Sequence, residues 1–233
     1  MHTLHTIWWA RNSLRYSEVT PTLHLAKVRI HSFIAMSGNV SKGKCLPSDS
    51  VFLDSFAVSP HRRMVKDIVL VVWKPPTAPW LKDNTDGSVI SGHAACGGLF
   101  RDHSGTFRGA FVCNIGTQFG FYAEVMAIIF AIEYAARHGW RNIWLESDST
   151  SALRIFSNAL LVPMLLRNRW HNARNLGIQV ISSHIFRKGN CCADYLANLG
   201  HSVVGAIWLA TLPPTLTLDF FRDRCGFPNY RYP

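Results

Sequence analysis

The segment FYAEVMAIIFAIEYAARHG, residues 121–139, carries the strongest pattern in this chain of 233 residues. Its apolar side chains recur at positions 121, 125, 128, 129, 132 and 135, a spacing that predicts an amphipathic helix. Gly139 predicts the end of this helix, because glycine readily adopts the left-handed conformation that follows many helices. The chain is therefore expected to contain a long helix with a broad buried face.

Short apolar runs on both sides of this helix predict the strands of a sheet. Upstream, LKDNTDGSVI is one candidate, and HAACGGLFRDHSGTFRGAFVCNIG predicts two strands joined by a turn at residues 101–105. Downstream, NIWLES and IQVISSHIF predict two further strands. Helices are expected at DSTSALRIF, PMLLRNRWHNARN and CCADYLANLG, the first capped by Asp148 or Ser149. This order predicts an α/β fold, a five-stranded mixed sheet with helices on both faces.

The remaining sequence predicts three zones. Residues 1–72 show no clean period, and residues 1–70 carry nine basic and four acidic side chains, which predicts a poorly ordered basic connector. WKPPTAPW follows as a stiff, extended boundary, because proline restricts both its own backbone and that of the preceding residue. The folded domain is expected over residues 73–200. Residues 201–233 are interrupted by proline and are expected to form a short surface tail.

Composition narrows the cellular setting and the partner. The formal net charge is +10 and the pI is about 9.7, which favours a polyanionic partner, nucleic acid more than membrane. No run reaches the roughly 18 to 20 apolar residues that a membrane span requires, and the N-terminus lacks the pattern of a signal peptide. None of the six cysteines forms a C-x-x-C pair, so we expect reduced thiols in an intracellular protein of the nucleus or cytoplasm.

Four acidic residues occupy positions at which their carboxylates can converge. Asp86 lies in the first predicted strand, Glu124 in the first turn of the long helix, Asp148 at a strand end, and Asp194 in the last helix. Taken singly, these are a turn residue, an acid favoured at a helix start, a helix cap and an exposed acid. Together they would repel one another unless cations neutralise them, and oxygen ligands suit Mg²⁺ or Mn²⁺. Two such ions are the arrangement that hydrolyses phosphodiesters.

The motifs WLKDNTDGS, AEVMAIIFAI, WLESDS and SHIFRKGNCCADYLANLG resemble the ribonuclease H domain of plant proteins derived from non-LTR retrotransposons. The similarity covers about residues 73–200. It implies a ribonuclease H-like fold and hydrolysis of the RNA strand of RNA–DNA hybrids. It also implies that Asp86, Glu124, Asp148 and Asp194 bridge two Mg²⁺ ions, or Mn²⁺ ions, to the scissile phosphate. The flanking segments resemble those of reverse-transcriptase polyproteins, which implies a truncated element that has lost its polymerase.

The resemblance also implies contacts with the backbone of the hybrid. Gly87, Ser88, Arg187 and Asn190 are the candidates, with a turn for Gly87 and Ser88, a solvated arginine and an Asx-turn as the alternatives. Hybrid recognition of this kind depends on 2′-hydroxyls and groove shape more than on base identity. A monomer is the expected oligomeric state. Glu146 is expected to point away from the four acids or to support one of them from behind.

The sequence departs from the family in the loop before Asp194. Many ribonucleases H carry a histidine there that helps product or metal to leave, whereas residues 187–192 contain none. His184 lies within a predicted strand, where a structural role is expected. Two other functions therefore stay open: a nucleic-acid-binding module with little catalytic activity, and a structural or interaction role that uses the fold alone.

Overall fold

The computed structural model describes residues 1–17, 20–41, 45–59 and 68–231. The chain forms two compact units, Met1–Lys66 and Asp67–Pro233. Among the described residues, no helix combines the length and the hydropathy needed to cross a membrane.

The described part of the first unit, for which the sequence predicts low order, contains three α-helices. Its helices are α1 (His2–Tyr16), α2 (Leu23–Val40) and α3 (Ser50–Ser55). The Thr22 side chain caps α2 by accepting a hydrogen bond from the Leu25 amide. The Arg29 guanidinium lies over the Trp9 ring, 4.4 Å from its centroid, so aromatic and cationic side chains join helices that show no regular apolar stripe. Part of the expected low-order segment, residues 18–19, 42–44 and 60–67, lies outside the described residues.

The second unit contains the predicted sheet. Its strands are β1 (Val69–Val71), β2 (Leu81–Ile90), β3 (His93–Arg101), β4 (Phe107–Thr117), β5 (Asn142–Ser147), β6 (Gln179–His184), β7 (Ala206–Leu209) and β8 (Asn229–Arg231). Its helices are α4 (Gly120–Arg137), α5 (Thr150–Leu153), α6 (Arg167–Arg174), α7 (Cys191–Leu199) and α8 (Thr217–Arg224).

The main sheet has six strands in the order β6-β5-β2-β3-β4-β7, so the expected count of five is one too few. Strands β2, β3 and β4 are antiparallel neighbours, while β5 runs parallel to β2 and β6 runs parallel to β5. The sixth strand, β7, pairs with the free edge of β4. It was missed because four residues between a glycine and two prolines are too short to show a clear alternation.

Helix α4 fills the core on one side of this sheet, as its spacing predicts. Val125, Ile128, Ile129 and Ile132 are buried, together with most of the other residues of the helix. Gly139 follows the helix with a φ of 72°, the left-handed conformation that was expected for it. Ser149 caps α5 by accepting from the Ala152 amide, which settles the choice between Asp148 and Ser149 in favour of the serine.

The expected surface tail is part of the folded unit, and this corrects the boundary at residue 200. Leu216 and Phe220 are buried against α7 and the sheet, and Asp223 forms a buried ion pair with Arg101. Strand β8 pairs with β1, which lies before the expected start of the domain at residue 73. Short segments separated by prolines look like a tail in the sequence, yet their apolar side chains cover a part of the core that α7 leaves open.

Candidate active site

Two glycines in neighbouring strands allow two helices to approach the sheet closely. A Cβ atom on Gly87 would lie 2.6 Å from the Glu124 backbone nitrogen in α4, and one on Gly97 would lie 2.5 Å from the Leu196 carbonyl carbon in α7. Gly97 pairs with Asp86, so it faces the side of the sheet opposite to Gly87. The glycines therefore seat α4 and α7 on opposite faces of the sheet, beside the same point of β2.

Three of the four predicted acids come together at this point. Carboxylate oxygens of Asp86, Glu124 and Asp148 all lie within 4.8 Å of one another. Strand β2 supplies the first, and α4 supplies the second from its second turn, one turn later than expected. Asp148 follows β5, which is held beside β2 by parallel pairing that ends at Thr85 and Ser147.

The electrostatics of this cluster favour a bound cation. Burial, with the nearby charges of Asp148 and Asp194, raises the pKa of Asp86 to about 7. Burial, followed by the charges of Asp86 and Asp148, raises the pKa of Glu124 to about 9. The Glu124 Oε2 atom is buried and has no hydrogen-bond partner among the described residues. A divalent cation would relieve the repulsion and supply the missing partner, so these residues fit a metal site with oxygen ligands.

The fourth acid, Asp194, flanks the cluster without joining it. It lies in the first turn of α7, where Arg187 Nη2 donates to its Oδ1 atom at 2.8 Å. Asn198 Nδ2 lies 3.2 Å from its Oδ2 atom. Its charge nevertheless raises the pKa of Asp86, which shows that Asp194 lies within electrostatic reach of the three grouped carboxylates.

The candidate contacts to nucleic acid differ in how accessible they are. The Arg187 side chain is 77% exposed beside the carboxylates, as a phosphate contact requires. Ser88 is half-buried, and its hydroxyl donates to Asn198 Oδ1 at 2.7 Å. The Gly87 amide donates to Asp86 Oδ1 at 2.9 Å, so its hydrogen bond already serves the cluster.

Asn190 does not fit its predicted contact with nucleic acid. The residue is buried, and its side-chain amide donates to the Thr85 carbonyl at 2.9 Å. Its side-chain oxygen accepts from Asn84 Nδ2 at 3.2 Å. The prediction failed because the sequence places Asn190 in an exposed-looking RKGN turn, whereas the turn folds back onto the central strand.

A buried polar network, which the sequence analysis did not predict, lies beside the cluster. Its members lie on the face of the sheet that carries Asp86 or on the segments that cover it: Trp73, Lys82, Asn84, Arg101, Glu146, Ser183, Asn190 and Asp223. The signal was the alternation of Lys82, Asn84 and Asp86, which puts three polar side chains on one face of a buried strand. Glu146 points into this network, in agreement with its expected direction away from the four acids.

His184 is not the structural residue that was expected. It ends β6 with an exposed side chain whose ring meets Phe186 edge-on, with the centroids 5.2 Å apart. Its charge acts to lower the pKa of Asp148, although burial leaves that pKa raised overall. His184 is therefore a polar side chain near the carboxylates and has no place in the core.

Similarity to known proteins extends over the same part of the chain. The Arabidopsis thaliana protein named "Putative ribonuclease H protein At1g65750" is 29% identical over 140 residues, which cover 58% of this chain. The chain spans only 22% of the length of that relative. Ribonuclease H1 from Halobacterium salinarum is 29% identical, with a TM-score of 0.47, and covers 53% of this chain and 98% of its own. LC11 ribonuclease H1, solved with an RNA/DNA hybrid, is 22% identical, with a TM-score of 0.46, and covers 51% and 94%.

The family is shown by a match over most of the sheet. The family model described as "Reverse transcriptase-like" matches residues 84–200, which are 117 of the 233 residues. The expected α/β fold is confirmed, with six strands in its mixed sheet and helices on both faces. Because the match covers just over half of its length, the chain belongs to the reverse transcriptase-like family.

Proposed function

We propose that the chain is a metal-dependent ribonuclease that hydrolyses the RNA strand of RNA–DNA hybrids. The observation that carries this proposal is the group of three carboxylates, Asp86, Glu124 and Asp148, within 4.8 Å at the meeting point of three elements. The name of the Arabidopsis relative, a ribonuclease H protein, supports the same chemistry. At that point Asp86 is buried, and Glu124 and Asp148 are partly buried. Burial raises the pKa of each, and neighbouring carboxylates raise it further, so the grouping has no evident structural benefit.

The four acids would hold two divalent ions, Mg²⁺ or Mn²⁺, which activate water and neutralise charge on the leaving oxygen of a phosphodiester. The chain itself contributes rigid placement. Strand β2 fixes Asp86, and the Gly87 amide holds one oxygen of its carboxylate. Pairing of β5 with β2 fixes the position of Asp148, and the close seat of α4 on Gly87 fixes that of Glu124.

The exposed groups around the cluster suit the sugar–phosphate backbone of a hybrid. Arg187 presents a fixed positive charge next to Asp194, and the Ser88 hydroxyl lies on the same face of β2 as Asp86. Such contacts position the backbone without reading bases, and 2′-hydroxyls distinguish the RNA strand. We expect Arg187→Ala to weaken hybrid binding and to reduce its salt dependence by about one phosphate contact, measured by anisotropy at several salt concentrations.

The direct test is cleavage of an end-labelled RNA–DNA hybrid with Mg²⁺, with Mn²⁺ and with a chelator. Asp86→Asn and Asp148→Asn are expected to reduce cleavage to the level seen with the chelator. Asp219→Asn is the matched control, because it removes an exposed acid from α8 in the same unit and should cleave at the parental rate. Cleavage by Asp148→Asn at the parental rate would contradict the assignment of the site.

A melting curve in the chelator separates loss of chemistry from loss of fold. Asp86→Asn and Asp148→Asn remove one charge from a repelling group, so both variants should melt at or above the temperature of the parental chain.

The ion pair of Arg187 with Asp194, which keeps the fourth acid apart from the other three, favours a second candidate function. That function is hybrid binding with little catalysis, and binding without cleavage under all metal conditions would support it.

A further inference from the structure

Asn84 occupies a central position in the buried network. It precedes Asp86 by two residues, lies on the same face of β2 and is completely buried. All four hydrogen-bonding positions of its amide are used. Its Oδ1 atom accepts from Trp73 Nε1 at 2.9 Å and Arg101 Nη2 at 2.7 Å, and its Nδ2 atom donates to Glu146 Oε2 and Asn190 Oδ1, both at 3.2 Å.

These partners permit only one orientation of the Asn84 amide. The indole of Trp73 and the guanidinium of Arg101 are donors only, so the group that faces them must be the oxygen. The side chain of Asn190 is oriented in the same way, because its NH₂ group faces the Thr85 carbonyl, which can only accept. The donor and the acceptor of each of these hydrogen bonds are therefore fixed, from the middle of the sheet to Asn190.

Asn190 joins this network to the helix that carries the fourth acid. Its side chain is bonded to β2 through Asn84 and Thr85. Its backbone carbonyl accepts hydrogen bonds from the amides of Ala193 and Asp194, each at 3.0 Å, and so forms the first turn of α7. One buried residue thus links the strand of Asp86 to the turn of Asp194.

We propose that Asn84 and Asn190 are positioning residues, which fix Asp194 relative to Asp86 by fastening the first turn of α7 to β2. This inference rests on the proposed function, since it assigns the two amides to the assembly of the same metal site. Neither side chain is exposed, so neither acts on the substrate directly. Both act through the placement of a carboxylate, as the outer partners of metal ligands commonly do.

The network also extends beyond the segment that matches the family. Trp73 precedes residues 84–200 and Asp223 follows them. The Arg101 guanidinium lies 3.7 Å from the centroid of the Trp73 ring, and its Nη1 atom donates to Asp223 Oδ2 at 2.8 Å. These two residues hold Arg101, which in turn orients Asn84. The unit that positions Asp194 is therefore longer than the matched segment.

The test measures metal binding and local stability on the full chain, without reference to cleavage. Asn84→Asp keeps the size of the side chain and an oxygen that can accept from Trp73 and Arg101, but a carboxylate cannot donate to Glu146 or Asn190. We expect it to weaken Mn²⁺ binding, measured by electron paramagnetic resonance, roughly tenfold or more. Hydrogen exchange of the Ala193 and Asp194 amides should become faster in the metal-free chain, because their acceptor is no longer held. Asn190→Ala removes the same link from its other end and gives the same test should Asn84→Asp not fold.

The control is Ile155→Ala, which opens the apolar cluster around α4 and lowers stability without touching the network. This variant should keep the parental Mn²⁺ affinity. The ratio of the hydrogen-exchange rates of the α7 amides to those of the sheet amides should also stay parental. Asp194→Asn gives the reference for a lost ligand. Parental Mn²⁺ affinity in a folded Asn84→Asp or Asn190→Ala variant would overturn the proposal. A parental chain that binds Mn²⁺ yet cleaves no hybrid would contradict the proposed function and leave the positioning role standing.

Discussion

The two faces of strand β2 differ in whether a buried ionisable side chain has a partner. On the face that carries Asp86, the Lys82 ammonium lies 2.8 Å from Glu146 Oε1 and 4.0 Å from the centroid of the Trp144 ring. On the face towards α4, Asp83 is completely buried, and in the part of the chain that the structure describes neither of its carboxylate oxygens has a hydrogen-bond partner. Neighbouring residues of one strand thus include a paired charge and an unpaired acid.

The comparison shows what a buried acid needs in order to stay charged. Burial raises the pKa of Asp83 well above its usual value, and the more distant charge of Arg101 opposes this only partly. Burial also lowers the pKa of Lys82, but its ion pair and hydrogen bond with Glu146 act in the other direction. A charge whose partner lies at contact distance can remain charged inside the protein, whereas burial without such a partner favours the neutral form of an acid.

Removing the cation of the Lys82–Glu146 ion pair should have the largest effect on stability. Lys82→Met keeps the length of the side chain but leaves the Glu146 carboxylate buried without its cation. We expect the free energy of unfolding to fall by about 3 kcal/mol or more, measured by urea denaturation. The double variant Lys82→Met/Glu146→Leu should recover part of this loss, because no uncompensated charge remains. Equal stability of the single and double variants would contradict the role given to the pair.

Replacing the unpaired acid Asp83 should have a smaller effect on stability, and of the opposite sign. Asp83→Val replaces the buried acid with an apolar side chain suited to a strand, and we expect a gain of about 2 kcal/mol in the free energy of unfolding near pH 7. Because the pKa of Asp83 is higher in the folded chain than its usual 3.8, the folded state binds more protons. The contribution of this acid to stability is therefore present at low pH and is lost as the pH rises above that value.

The direction of this pH dependence can be measured on the same variant. The stability difference between Asp83→Val and the parental chain should grow between about pH 4 and about pH 7. Asp102→Asn, at the turn before β4, is a control in a less buried position. A difference that stays constant with pH would mean that Asp83 is charged in the folded chain at neutral pH.

The ion pair of Arg187 and Asp194 extends the comparison to the surface and should have the smallest effect. The Arg187 side chain is 77% exposed, so solvent screens its charge even though the atoms lie 2.8 Å apart. We expect Arg187→Ala to change the free energy of unfolding by less than about 1 kcal/mol in urea denaturation. A loss as large as that of Lys82→Met would show that the pair is shielded from solvent in solution.

Local patterns were sufficient to predict most of the elements of the second unit and the choice of the four acids. The apolar spacing of α4 predicted a helix with a broad buried face, and the segment LKDNTDGSVI predicted the strand that carries Asp86. These predictions succeeded because helix and strand periods are properties of consecutive residues. The order of the acids along the chain, together with the family resemblance, then indicated one common site.

Contacts between distant segments decided the rest. The sequence could not show that Asn190 turns inward to bond with Asn84, or that Asp223 closes the network from the end of the chain, because those partners lie 106 and 122 residues away from Asn84 and Arg101 respectively. It could not show that Asp194 pairs with Arg187 while the other three acids group together. Residue type and spacing determined which side chains were available for a metal site, whereas burial and pairing across the sheet determined which of them meet, since those depend on the packing of whole elements.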